Sequence, residues 1–192
     1  MVAMTIADAW PTTGREFTVA DLERTPDDGR RYEVIDGLLV VSPAPSVWHQ
    51  EVTAELLCVL RHGCPPDMRA LPGLGVRMSL KTELIPDIVV ASFKDLTGPT
   101  LTAPPLLAVE VRSPSTALFD LNTKKAVYER FGVASYWIVV PEADQPELLA
   151  FELREGVYEQ VAHVTGGEPF RAERPFPVEL APSVLVAGLR SR

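Results

Sequence analysis

The sequence predicts a single mixed α/β domain with a central sheet and helices packed against it, and three observations carry that prediction. Short runs rich in β-branched and aromatic residues alternate with segments whose apolar residues repeat at helical spacing. The chain's 192 residues suit one domain and can bury a substantial core. No internal repeat, low-complexity tract or linker divides it. The composition, 46% apolar and 23% charged, is that of an ordinary globular protein. Residues 1–16 read as a flexible N-terminal extension, and 17–192 as the domain.

The elements follow in order. In RYEVIDGLLVV, two apolar runs flank Asp36-Gly37, the pair favoured in a tight hairpin turn. After SPAPS a helix begins near Val47, with Val52, Leu56, Val59 and Leu60 on one face. Gly63 and Pro65-Pro66 end it. From Gly75 the period changes, and GVRMSL and LIPDIVVA read as two strands. Phe93 to Pro105 is a Thr- and Pro-rich loop, and LLAVEVRSP is the next strand. A second helix follows SPST, roughly Leu118 to Phe131, closed by Gly132. YWIVV is a buried strand, and LLAFEL and GVYEQVAHV form a hairpin around REG. VELAPSVLVAGL supplies a last short element, whose VLVAGL offers exposed apolar residues for a homodimer contact.

Composition also narrows the function. No apolar run approaches the roughly 20 residues that span a bilayer, and MVAMTIADAWP lacks the basic start of a signal peptide, so the expected location is the cytoplasm. Cys58 and Cys64 read as reduced structural residues. A formal net charge of −8 argues against a broad cationic face for non-specific nucleic-acid binding. It leaves room for a local basic cleft or a cation held by carboxylates.

Three charged residues sit in or beside apolar runs. Glu110 interrupts LLAVEV, Asp87 follows Pro86 and precedes IVVA, and Lys124 lies on the next helix. A carboxylate in a buried strand is costly unless it is paired or holds a metal. If the Asp87 and Glu110 strands are neighbours, both carboxylates reach one end of the sheet, an arrangement that suits Mg²⁺. A nearby cation can then stabilise charge on a phosphate. Strand alternation puts Arg112 on the side of Glu110, whereas Asp120, Lys124 and Tyr128 share a helix face. Either Arg112 or Lys124 can therefore be that cation. Plainer readings stand beside these: Asp87 capping a turn, Glu110 in a structural ion pair with Arg112 or a lysine, Lys124 in solvent, His49 as a hydrogen-bonded packing residue, and Glu33 as an ordinary strand residue.

Taken in order, RYEVIDG, SPAPSVWHQ, PDIVV, LAVEVRSPST, D-x-x-x-K-x-x-x-Y (120–128) and GVASYWIVV resemble the Uma-two family of the PD-(D/E)XK nuclease superfamily, from about Phe17 to Leu189. The resemblance implies a restriction-endonuclease-like mixed β-sheet flanked by α-helices, with the two carboxylates on adjacent strands. It also implies an endonuclease that hydrolyses DNA with Mg²⁺ or Mn²⁺ held by Asp87 and Glu110. Arg112 stands in the superfamily's lysine slot, commonly apolar in this family, and Lys124 matches a helix lysine that substitutes for it. Glu33 and His49 fall on characteristic supporting positions. Val140 departs from the pattern, standing where the family usually carries an aspartate. The competing expectation is a catalytically inactive module on the same scaffold that binds DNA or a protein partner.

Overall fold

The computed structural model describes residues 5–6, 14–112 and 119–189, so most of the expected extension and the SPST turn lie outside the described residues. In chain order the first elements are β1 (Thr5–Ile6), α1 (Val19–Leu22), β2 (Arg31–Ile35), β3 (Leu38–Ser42), α2 (Val47–Gly63) and β4 (Met68–Pro72). Next come β5 (Val76–Ser79), β6 (Thr82–Leu84), β7 (Ile88–Ser92) and β8 (Leu107–Val111). A wide helical turn over Phe119–Lys124 then leads into α3 (Lys125–Phe131). The chain finishes with β9 (Ser135–Val140), β10 (Glu147–Arg154), β11 (Val157–Thr165), β12 (Phe170–Ala172), β13 (Val178–Leu180) and α4 (Pro182–Leu185).

The first hairpin forms where its turn residues demand. Asp36 and Gly37 take φ of 48° and 82° between β2 and β3, the doubly left-handed turn that matches strand twist. That hairpin belongs to a five-stranded sheet of order β1-β3-β2-β6-β5. The larger sheet has six strands in the order β11-β10-β9-β8-β7-β4. It is mixed, because β8 and β9 run parallel while its other pairs are antiparallel.

The sheet's two faces bury different clusters. Val52, Leu56 and Leu60, spaced four apart along α2, pack with Ile88, Val90, Val109, Trp137 and Leu148. Each fully buried aliphatic side chain of this kind stabilises the fold by about 1.5–3 kcal/mol. The alternate residues of the same strands, Ala108, Tyr136 and Ile138, join Val127, Tyr128, Phe151 and Tyr158 on the α3 side. Strand alternation thus sandwiches the sheet between two helices.

Several expectations need correction. LIPDIVVA is not one strand: β6 ends at Leu84, β7 starts at Ile88, and Ile85-Pro86-Asp87 links the two sheets. Proline has no N–H for a ladder and restricts the residue before it, so the pairing breaks there. β4 and β12 lie where no strand was expected, and β13 opens the last short element, VELAPSVLVAGL, pairing with β12. The VLVAGL segment is not an exposed apolar face. Leu185 and Val186 are 1% and 0% exposed in the core, and Val184 alone of its large residues is strongly exposed, at 53%. Cys58 and Cys64 are both free thiols. Among the described residues, no helix is long and apolar enough to cross a membrane.

Candidate active site

The break at Pro86 places Asp87 just ahead of β7. Because β7 runs antiparallel to β8 with Ile88 opposite Val109, Asp87 falls across from Glu110. Both carboxylates are buried, as are Glu33 and Lys124. An ionised group in that position persists only with partners, and each has them.

Asp87 is held at both oxygens. Oδ1 accepts from Arg31 Nη1 at 2.7 Å, and Oδ2 accepts the Val111 N–H at 2.7 Å and lies 3.0 Å from His49 Nε2. Burial pushes the carboxyl toward its neutral form, but His49, Arg31 and the Val111 N–H outweigh it and hold the pKa down to about 2. Arg31 Nη1 also donates to the Ile85 carbonyl at 3.1 Å. Burial works against the guanidinium's charge, yet Asp87, Glu110 and Glu33 raise its pKa well beyond the ordinary value.

Glu110 and Glu33 form a second group around Lys124. The ammonium donates to Glu110 Oε1 at 3.0 Å and to Glu33 Oε1 at 3.1 Å. Tyr128 donates its hydroxyl to the same Glu110 oxygen at 2.7 Å, and the Ile85 N–H donates to Glu33 Oε1 at 2.7 Å. Burial, reinforced by Glu110, pushes the Tyr128 phenol well above 10, so it stays a donor at neutral pH. Four-residue spacing brings Lys124 and Tyr128 onto one carboxylate.

The structure therefore brings together Asp87, Glu110, Lys124, Glu33 and His49. Arg112 stands apart. Its N–H bonds the Val139 carbonyl at 2.7 Å, and its side chain lines a cavity of about 590 Å³ with Trp48, His49 and Val140. No Arg112–Glu110 ion pair forms among the described residues. The Asp120 side chain lies outside the described residues. Sequence reasoning missed two members. Arg31 lies two residues from Glu33 on β2, hence on the same strand face, a signal available but unused. Tyr128 stood on the helix face of Lys124, yet its contact with Glu110 spans 18 positions.

Among the described residues, no three or more His, Cys, Asp and Glu side chains converge to enclose an ion. What the site offers is a pair of carboxylates on facing strands, a third carboxylate, and cations between them.

Comparison with known proteins places this geometry in context. The family model described as "Uma2: Putative restriction endonuclease" matches residues 19–186. The crystal structure of a putative nuclease belonging to DUF820 from Anabaena variabilis is similar, with a TM-score of 0.71 at 18% identity, covering 91% of this chain and 99% of that one. At that identity the likeness shows the fold, a mixed α/β sheet flanked by helices. No curated protein matches the chain.

Proposed function

The chain belongs to the Uma2 family, and from that premise we propose that it is a metal-dependent endonuclease hydrolysing DNA phosphodiester bonds, with Asp87, Glu110 and Lys124 as the working residues. The observation that carries this reading is the buried Asp87–Glu110 pair on facing strands, with Lys124 on Glu110.

The residues fit a divalent cation by their chemistry. Asp87 and Glu110 supply the hard carboxylate oxygens that Mg²⁺ and Mn²⁺ take, typically one or two alongside water. Together with Glu33 they also outnumber the fixed cations Arg31 and Lys124, so the buried set favours a further positive charge. Bound there, a cation supplies Lewis-acid polarisation of the phosphate. The chain's own groups do the rest. Lys124, aimed by Glu33 and Glu110, donates toward the oxygens on which charge accumulates and orients the attacking water. Tyr128 keeps Glu110 in place, while His49 and Arg31 orient the two Asp87 oxygens.

The test is Mg²⁺-dependent cleavage of single-stranded, linear duplex and plasmid DNA. Asp87→Ala and Glu110→Ala are expected to lower the rate by about 10²-fold or more; unchanged rates in both variants overturn the assignment.

The completeness of the internal pairing supports a second reading. Both carboxylates already have cationic partners, as a catalytically inactive module that binds DNA or a protein partner would have. Calorimetry with Mg²⁺ and Mn²⁺ separates the two. Binding lost in Asp87→Ala supports the nuclease, and no binding at millimolar metal supports the inactive module.

A further inference from the structure

We infer that the substrate strand crosses the site unpaired, with the nucleotide beside the scissile phosphate seated in the cavity lined by Trp48 and Arg112. This rests on the nuclease reading and goes beyond it by naming the form of DNA. The cavity, about 590 Å³, has His49 as one wall and so adjoins Asp87. Its size lies within the roughly 300–1,000 Å³ of small-molecule sites. Trp48, Val140 and Pro141 give it apolar walls, and Arg112 gives it a cation. Among the described residues, the Arg112 guanidinium has no hydrogen bond or ion pair within the protein. An arginine keeps its charge and can fork onto a phosphate. Glu142 also lines the cavity, which leaves the phosphate to the Arg112 side and the base to Trp48.

A second cavity, about 370 Å³, lies against Arg31, Leu57, Pro72 and Gly73; it shares the His49 wall with the first and is lined by Asp87 as well. The two cavities thus meet at His49, whose ring holds Asp87, and a strand running from one to the other passes beside that pair.

The surface charge favours a single strand over a duplex. Arg15, Arg30, Arg77, Lys81, Arg130 and Arg171 are each paired with a neighbouring carboxylate, and the chain carries a formal charge of −8. Duplex affinity depends on neutralising many phosphates at once. Single-strand affinity can rest on an aromatic platform and few cations, which is what Trp48 and Arg112 provide.

Fluorescence anisotropy in EDTA, where metal-dependent cleavage cannot proceed, tests this with a labelled oligothymidine and a blunt duplex of equal length. The single strand is expected to bind at least about tenfold tighter, Trp48→Leu and Arg112→Gln each to weaken it about tenfold, and Trp48→Phe to retain it. Equal affinity for the two DNA forms, binding to neither, or wild-type affinity in both Trp48→Leu and Arg112→Gln overturns the inference. Failure of the nuclease reading shows elsewhere, as absence of cleavage in Mg²⁺, and leaves this binding comparison intact.

Discussion

Lys124 serves architecture and chemistry at once. Replacing it with Ala leaves Glu33 and Glu110 buried without their shared ammonium, so the expected cost is about 3–5 kcal/mol in urea unfolding. Mg²⁺ should recover part of that cost. The same substitution is expected to lower cleavage about 10²–10³-fold, whereas Arg112→Gln should act mainly on KM. Asp87 gives a pH signature. Its carboxyl titrates near 2 when folded, against an ordinary 3.8, so the unfolded chain takes up the proton first as pH falls. Its contribution, about 2 kcal/mol, is complete above about pH 4 and is lost as pH falls toward 2. The wild-type stability slope in that window should be steeper than that of Asp87→Asn. Asp87 and Glu110 were legible as unusual carboxylates because each breaks an apolar context, whereas Lys124, between Thr123 and Lys125, was singled out by the family resemblance. Arg31 was passed over despite sharing a strand face with Glu33, because beside Arg30 it looks solvated and its partner lies 56 positions away.

At the scale of elements, turn chemistry decided what could be read. Asp36-Gly37 and the Gly132 stop are local signals, and both sit where expected, with Gly132 at φ 87° accepting the end of α3. A Cβ on Gly132 meets open space, so Gly132→Ala should cost only the left-handed backbone penalty, about 1–2 kcal/mol. A Cβ on Gly37 would come within 3.0 Å of Glu16 Cβ. Gly37→Ala should therefore cost more than Gly132→Ala, as denaturant midpoints will report. β12 and β13 are only three residues each, and β4 buries only Ala70, too little for a period-two pattern, so no local signal announced them as strands. The wide turn over Phe119–Lys124 was also invisible, because a 3.6-residue period runs straight through it. Such turns cluster at functional sites, and this one ends on Lys124.

Across the whole molecule, the site lies where two sheets meet. Arg31 and Glu33 come from the five-stranded sheet, Asp87 from the link just ahead of β7, and Glu110 from β8 in the six-stranded one. The order of elements was legible, but their division into two sheets was not. That division depends on β2 pairing with β6, through Val34 and Glu83, which no local pattern announces. A cation bound between the sheets should stabilise the whole fold, by about 2.7 kcal/mol at a concentration 100-fold above its Kd. The melting temperature should rise in Mg²⁺ for the wild type and stay put in Asp87→Ala. The most direct measurement is an anomalous difference map from a crystal soaked in Mn²⁺. The expected result is one peak coordinated by Asp87 and Glu110, with Lys124 still beside Glu110. A map with no peak there, and with Arg31 and Lys124 still closing both carboxylates, would contradict a metal-dependent site.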